Sequence, residues 1–186
     1  MEDQTQVVQA LLHPQAYPQN PTGIELIQTH ISFVFLVDDA VYKIKKAVDF
    51  GFLDFSTLDK RQFFCKKELE LNRRLCPEIY LEVVNITKSS SIKINGNGET
   101  VEYALKMKRL PQEKIMTVLL KQNKVNQKKI GELARIVAEF HSKAQNSPEI
   151  NEFGSLKIVK TNWDENFAQT TKYINQTILQ HHQLLS

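Results

Sequence analysis

The sequence predicts an α+β fold in which an antiparallel sheet of about five strands and one long helix are followed by further helices. Short segments rich in β-branched and aromatic residues alternate with turn formers over positions 1–110. Beyond Pro111 the apolar residues recur at helical spacing instead. The chain has 186 residues and is 41% hydrophobic, which is enough to bury a sizeable core.

The N-terminal third predicts a lead-in helix followed by three strands. A short amphipathic helix over Thr5–Leu12 and a proline-containing loop over His13–Gly23 precede the sheet. Ile24–Thr29 alternates like a first strand. A tight hairpin follows, with arms at Ile31–Val37 and Val41–Lys46 around a short acidic turn. The sheet is therefore expected to begin as a three-stranded antiparallel meander.

The second arm of this hairpin carries lysines inside an otherwise apolar strand. Alternation with a period of two places Lys43 and Lys45 on one face and Tyr42 and Ile44 on the other. Burial of an unpaired ammonium group is costly, so a strand lysine predicts an anionic partner. The alternative is a lysine whose stem packs on the sheet while its head reaches water.

A long helix is predicted over Thr57–Leu75, after the aromatic segment Ala47–Phe55. Ser56 is a suitable helix cap, and Pro77 ends the helix. Helical periodicity predicts a side that faces the sheet, made of Phe64, Leu71 and Leu75 with Cys65, Leu69 and Glu68.

The remaining strands and the change to helices follow Pro77. Ile79–Thr87 is a strand candidate, and Ile92–Ile94 and Thr100–Arg109 form a second hairpin around the turn Asn95–Gly98, whose residues tolerate positive φ. Helical patterns then cover three segments: Glu113–Gln122, Asn126–Ala144, and about Asn162 to Leu185. The predicted domains are 1–110 and 111–186, with a linker over Gln145–Gly154.

Composition argues against several classes of function. The net charge of +3, from 24 basic and 21 acidic residues, is too small to predict a nucleic-acid or membrane surface. Cys65 and Cys76 lack zinc-ligand spacing. The N-terminus is polar, and no apolar run approaches the roughly 18 residues of a membrane span. A cytoplasmic protein with neither nucleic-acid nor membrane partners is expected.

The order of elements is that of a protein-kinase-like N-terminal lobe: a strand lysine, a helix glutamate, more strands and then helices. Four blocks carry a closer resemblance, namely Val41–Lys46, Asp49–Leu58, Cys65–Leu75 and Tyr103–Pro111. Together they resemble bacterial kinase-like proteins of the aminoglycoside phosphotransferase family. They are most similar to the branch in which such a domain is often fused to a P-loop ATPase or gluconate-kinase-like domain. The resemblance spans roughly residues 24–175.

The resemblance implies a kinase-like N-lobe and the first helices of a C-lobe, binding ATP for transfer to an unknown small-molecule acceptor. It implies Lys43 at the phosphates, with Glu68 as its partner and Lys45 as the second choice. The backbone of residues 108–110 would face adenine. The candidate nucleotide-binding residues are Lys43, Glu68, Thr29, Ser32, Met107, Lys108, Arg109 and Leu110.

The departures from the family pattern concern catalysis. A kinase of this type needs an His-x-Asp catalytic loop, a downstream Asn and a further Asp for magnesium, but beyond Asp59 the only aspartate is Asp164. The tripeptide starting at Asp49 spells a magnesium-binding motif, yet it precedes the glutamate helix. It is therefore expected to shape a turn with Asp54, while neighbouring phenylalanines pack on the sheet.

A truncated kinase is thus expected, with no catalytic residue in this chain and Mg²⁺ only where the missing lobe is supplied. The alternative is a non-catalytic, pseudokinase-type module. In that case exposed C-terminal helices would bind a partner or mediate self-association, and an exposed apolar face on Asn162–Leu185 would favour it.

Overall fold

The computed structural model describes residues 3–174 and 176 and divides the chain into two compact units, Met1–Val125 and Asn126–Ser186. The first unit is α+β, as the sequence predicts, and the described part of the second is helical. The sheet ends near the predicted boundary at residue 110. The first unit continues beyond that boundary through a 3-10 turn and helix α3 (Met116–Lys121).

The first unit contains a six-stranded antiparallel sheet, and each strand overlaps one of the strand segments predicted from the sequence. The strands are β1 (Ile24–Gln28), β2 (Ser32–Val37), β3 (Ala40–Lys45), β4 (Tyr80–Lys88), β5 (Ile92–Ile94) and β6 (Glu99–Lys108). Their order across the sheet is β1-β2-β3-β6-β4-β5. Strand β6 therefore lies directly beside the lysine strand β3, and the chain leaves the sheet from this central position.

The hairpin turns use the residues that the sequence predicts for them. Asp38, between β2 and β3, has a φ of 46°, and Asn95, after β5, has a φ of 50°. Gly98 has a φ of 155°, and a Cβ placed there would lie 2.4 Å from the backbone oxygen of Lys88. Only glycine fits this close approach of the two backbones.

One face of the sheet is closed by the N-terminal segment. Helix α1 (Thr5–Ala10) and the 3-10 turn Pro14–Ala16 lie over the face that carries Tyr42 and Ile44. The ring centroids of Tyr17 and Tyr42 are 5.2 Å apart. The core cluster comprises Val7, Leu11, Ala16, Tyr17, Phe35, Val37, Tyr42, Ile44, Val84, Ile86, Ile94 and Ala104. The predicted lead-in helix is thus an integral part of the core.

Helix α2 (Leu58–Arg73) begins one residue later than predicted. Its cap is Thr57, whose hydroxyl accepts a hydrogen bond from the Lys60 N–H at 3.3 Å. The Ser56 hydroxyl, predicted as the cap, instead donates to Asp54 Oδ1 at 2.6 Å. The side chain of Asp54 draws Ser56 into the preceding loop, so the next hydroxyl along the chain satisfies the helix N–H groups.

The side of α2 that faces the sheet is more polar than predicted. Leu71 and Leu75, expected to face the sheet, are 53% and 50% exposed. Cys65 is buried and Glu68 is half-buried, as predicted, and Arg61, which was not predicted to face the sheet, is also buried. These three residues follow the spacing i, i+4, i+7 of one helical face. The prediction is wrong for Leu71 and Leu75 and missed Arg61, because apolar periodicity does not identify a charged residue that is buried with a partner.

The second unit is described up to residue 174, and at 176, as three α-helices. They are α4 (Gln127–Ser142), α5 (Pro148–Glu152) and α6 (Leu156–Thr170). Asn126 caps α4, since its Oδ1 accepts from the Lys129 N–H at 3.0 Å. Helix α5 occupies part of the predicted linker. The predicted last helix overlaps α6, and its part beyond residue 176 lies outside the described residues.

Candidate functional site

The candidate site centres on three charged side chains of the first unit. Lys43 and Lys45 lie on β3, and Glu68 lies on α2. Lys43 Nζ donates to Glu68 Oε1 at 2.8 Å, and Lys45 Nζ donates to Glu68 Oε2 at 2.7 Å. We call this arrangement the clamp. The residues predicted as a pair are therefore in contact, and the second lysine occupies the other carboxylate oxygen.

The two lysines of the clamp differ in their access to solvent. The side chain of Lys43 is 28% exposed, whereas that of Lys45 is 7% exposed. The Lys45 ammonium also lies 4.6 Å from the centroid of the buried Phe55 ring, at cation–π distance. Lys43 is therefore the more solvent-exposed lysine of the clamp, while Lys45 is enclosed by protein.

The electrostatics of the clamp favour an anion. Burial raises the pKa of the Glu68 carboxyl, but hydrogen bonds and charges from Lys43 and Lys45 outweigh burial and hold that pKa below its ordinary value of 4.5. Glu68 is thus ionised at neutral pH. Two ammonium groups on one carboxylate leave a formal charge of +1 at the clamp. A phosphate group suits such a site because charge-assisted hydrogen bonds are strong.

Cys65 lies on the same face of α2 as Glu68, between Glu68 and the buried Arg61. It is fully buried, and burial raises the pKa of its thiol to about 12. A thiol with so high a pKa is protonated at neutral pH and is a poor nucleophile. Cys65 therefore acts as a small core residue, as the sequence indicated.

A second ion pair, which sequence reasoning missed, lies at the start of α2. Arg61 Nε donates to the two carboxylate oxygens of Glu102 at 3.0 and 2.9 Å, and both side chains are almost completely buried. Arg61 also donates to two backbone carbonyls just before the helix, at 3.1 and 3.3 Å. Gln4 Nε2 donates to Glu102 Oε2 at 2.6 Å. The sequence signal that could have identified Arg61 is its spacing of seven residues from Glu68, which places both residues on one face of the helix.

The turn between β1 and β2 holds Thr29 and Ser32, two of the candidate nucleotide-binding residues. Thr29 Oγ1 accepts hydrogen bonds from the N–H groups of Ser32, at 3.0 Å, and Ile31, at 3.4 Å. Ser32 is 1% exposed, and among the described residues its hydroxyl has no hydrogen-bond partner. In this conformation the Thr29 oxygen bonds within the turn and the Ser32 hydroxyl is buried.

Met107 lies on the same face of the sheet as the clamp lysines. The β3–β6 register pairs Lys43 with Leu105 and Val41 with Met107, and residues directly opposite each other in such a pair share a face. Met107 is half-buried and lies two residues beyond Leu105, which is roughly 7 Å along the strand. Two of the candidate nucleotide-binding residues, Met107 and Lys43, are therefore on one face of the sheet.

The last residue of β6 and the residue after it form backbone hydrogen bonds with other segments of the first unit. The Lys108 N–H donates to the Ile79 carbonyl and the Arg109 N–H donates to the Asp39 carbonyl, both at 2.8 Å. Leu110 comes next, and its side chain is 51% exposed. Of the three residues whose backbone is expected to face adenine, Lys108 and Arg109 thus already donate their N–H groups within the protein.

The loop that carries the magnesium-like tripeptide is closed on itself. Asp49 and Asp54 face each other in an isolated antiparallel bridge, in agreement with their predicted role in shaping the turns. Phe55 is buried, as expected. Phe50 and Phe52 are 48% and 87% exposed, so the prediction that they pack on the sheet is wrong. The tight closure of the loop turns its tip toward solvent.

The described residues outside the clamp add no metal centre. Asp164 lies on α6, where its carboxylate accepts from Lys160 at 2.6 Å as an exposed pair one helical turn apart. Across residues 3–174 and 176, no group of three or more His, Cys, Asp or Glu side chains is placed to hold a metal ion. Nor does any helix in this part of the chain combine the length and apolarity needed to cross a membrane.

Comparison with known proteins relates the chain to one part of longer proteins. No protein-family model matches the chain, and no solved structure matches it. Three curated proteins, all described as uncharacterized, do match: two from strains of Mycobacterium tuberculosis and one from Mycobacterium bovis. Each is 28% identical over 155 residues, which cover 83% of this chain and 30% of the relative. The chain therefore spans less than a third of the length of these relatives.

Proposed function

We propose that the first unit is the ATP-binding part of a kinase-like phosphotransferase that acts on a small molecule. The observation that carries this proposal is the pair of hydrogen bonds from Lys43 and Lys45 to Glu68, at 2.8 and 2.7 Å. Protein kinases hold a lysine of their third strand against a helix glutamate, and that lysine contacts the α- and β-phosphates of ATP. Here too the lysine is on the third strand and the glutamate is on the helix that follows.

The differing exposure of the two lysines supports Lys43 as the phosphate contact. The side chain of Lys43 is partly exposed, whereas that of Lys45 is almost completely buried and its ammonium group lies against Phe55. Lys45 then has a separate role, which is to hold the second oxygen of Glu68. With that oxygen occupied, the carboxylate cannot rotate away from Lys43, and the ammonium stays in one position for the phosphates.

Apolar side chains beside Lys43 support the position of the adenine ring. Leu36, Val41, Leu105 and Met107 share the face of Lys43 according to the strand register. The first three are buried, and Met107 is partly exposed. A nucleotide lying along this face would place its base toward Met107. Because two amides of the following segment are already donated, the backbone would recognise the base through carbonyl oxygens or the Leu110 N–H.

The reaction itself needs residues that we do not assign to this chain. ATP supplies the phosphoryl group, and a catalytic aspartate and a magnesium-binding aspartate are required to direct its transfer. Asp164 is paired with Lys160 on an exposed helical surface, a setting that does not favour either role. The proposal for this chain is therefore nucleotide binding, with transfer carried out where the rest of a kinase-like protein is present.

Thermal shift titration with Mg-ATP tests the proposal. A nucleotide at about 100 times its Kd stabilises the folded protein by roughly 2.7 kcal/mol, which raises the melting temperature of the wild type. Lys43→Ala should lose this shift. Lys106→Ala is the matched control, because Lys106 is also a strand lysine in an ion pair, with Glu82, and should retain the shift. Absence of a shift in the wild type would refute the proposal.

The second candidate function is a non-catalytic interaction module. The observation that favours it is the exposed apolar side chains on α6, where Leu156 is 84% exposed, Val159 53%, Trp163 55% and Phe167 41%. A surface of this kind is typical of protein interaction sites. Sedimentation of the purified chain over a range of concentrations would detect self-association, and Trp163→Ser should abolish it. A monomer at all concentrations that also binds Mg-ATP would favour the first function.

A further inference from the structure

Hydrogen bonds join four elements of the first unit in a closed ring. Glu68, on α2, accepts from Lys45 Nζ at 2.7 Å, and the backbone carbonyl of Lys45, on β3, accepts from Gln4 Nε2 at 2.9 Å. The same Nε2 donates to Glu102, on β6, at 2.6 Å. Glu102 accepts from Arg61 at 2.9 Å, and Arg61 lies on α2, the helix that also carries Glu68. The clamp glutamate and the buried arginine are therefore linked outside their own helix as well as through it.

Gln4 is the link that the N-terminal segment contributes to this ring. Its amide makes three hydrogen bonds, because Nε2 donates to two acceptors while Oε1 accepts from the Ala47 N–H at 2.8 Å. A carboxylate at this position could not donate to Glu102, and a lysine could not accept from Ala47. Since it bonds to the backbone on both sides of Lys46, Gln4 holds the end of β3 from which Lys45 reaches Glu68.

We propose that Gln4 is a positioning residue through which the N-terminal segment, residues 4–17, keeps the clamp assembled. In its coupling to ligand, this proposal rests on the nucleotide site proposed above. Docking of the segment holds the backbone of Lys45 in place. The Lys45 ammonium then holds the Glu68 carboxylate, which in turn positions the Lys43 ammonium for the phosphates. Because coupling between two sites is reciprocal, nucleotide binding then also tightens the docking of the N-terminal segment.

The first test needs no nucleotide. Gln4→Met keeps the length of the side chain but removes its hydrogen bonds, and NMR titration then follows the carboxyl carbon of Glu68. The pKa of Glu68 should rise toward its ordinary value, since the lysine contacts that lower it are loosened. Gln6→Met is the matched control, because Gln6 bonds to Lys88 outside the ring and its loss should leave the pKa of Glu68 unchanged. An unchanged pKa in Gln4→Met would overturn the proposal.

A second variant tests whether the change in the pKa of Glu68 comes from the lost hydrogen bonds or only from poorer packing of the substituted side chain. Gln4→Glu retains the size of the side chain and the acceptor for Ala47, but places a carboxylate against that of Glu102. At neutral pH, Gln4→Glu should loosen the contacts of Lys43 and Lys45 with Glu68 more than Gln4→Met does, because the carboxylates of residue 4 and Glu102 repel each other. An effect smaller than that of Gln4→Met would contradict the role of the donated hydrogen bonds.

The second test measures coupling to the ligand by calorimetric titration with Mg-ATP. Gln4→Met should weaken binding about tenfold, the size of effect expected for one lost hydrogen bond to a charged group. In a Lys43→Ala background, titrated at Mg-ATP concentrations high enough to measure its weaker residual binding, the same change should weaken binding no further. Equal losses in both backgrounds would show that Gln4 acts independently of the clamp and would overturn the coupling. No binding by the wild type would refute the nucleotide site and the coupling, while the Glu68 titration would still decide the positioning role.

Discussion

Removal of the Glu102 carboxylate should be among the most destabilising single changes in the first unit. Glu102 is 0% exposed and Arg61 is 1% exposed, and the carboxylate accepts from Arg61 Nε, Gln4 Nε2 and the Tyr103 N–H. Glu102→Ala takes away all three interactions and leaves the Arg61 guanidinium buried without this carboxylate. Breaking a buried pair by removing one partner typically costs about 3–5 kcal/mol.

Urea denaturation followed by circular dichroism measures this loss. With a typical slope of about 2 kcal/mol per molar urea, a loss of about 4 kcal/mol lowers the midpoint by about 2 M. Glu82→Ala is the matched control, since it removes a strand glutamate whose partner Lys106 lies 3.0 Å away in a partly exposed pair. That pair should contribute less than about 1 kcal/mol. Equal losses in the two variants would refute the assignment of Glu102 as a structural centre.

Three further predictions concern a turn, the cysteines and pH. Gly98→Ala should destabilise the protein by more than about 1 kcal/mol in urea denaturation, because its Cβ would lie 2.4 Å from the Lys88 oxygen. A thiol reagent should label the exposed Cys76 rapidly, and the buried Cys65 only on unfolding. The lowered pKa of Glu68 contributes stability that is present above about pH 4.5 and is lost as pH falls through the folded-state pKa, and Glu68→Gln should remove this dependence.

Each of these predictions has a result that would contradict it. Gly131→Ala is a control for the glycine change, since nothing lies within 4 Å of the added Cβ and alanine favours a helix. A similar loss in both glycine variants would remove the steric argument. Fast labelling of both cysteines in the folded protein would contradict the burial of Cys65. An acid unfolding curve of Glu68→Gln that matches the wild type would mean that the clamp contributes no net stability.

The sheet could be predicted well because its signals are local. Period-two alternation is a property of the extended backbone itself, so the shared face of Lys43 and Lys45 follows from their spacing alone. The turn at Asp38 was likewise identified from its composition and loop length, and the turn at Asn95–Gly98 from residues that tolerate positive φ. Both kinds of signal act over a few residues and do not depend on which strand lies alongside.

The helix face was harder to predict because its buried stripe is charged. The sequence analysis placed Leu71 and Leu75 on the side facing the sheet, together with Glu68, but the two leucines are exposed and the buried Arg61 was missed. A charged residue can be buried only where a partner meets it, and here the partners are Glu102 on β6 and the lysines on β3. Nothing in the sequence of the helix identifies partners that lie on other elements.

The sequence by itself determined the strands, the turns and the two lysines on one face of β3. Tertiary structure decided that Glu68 lies between those lysines, and that β6 rather than β4 pairs with β3. It also decided that Gln4 and Glu102, 98 positions apart, meet beneath the clamp. The reason is physical: backbone periodicity depends on neighbouring residues, whereas ion pairs and strand order depend on the packing of elements far apart in the chain.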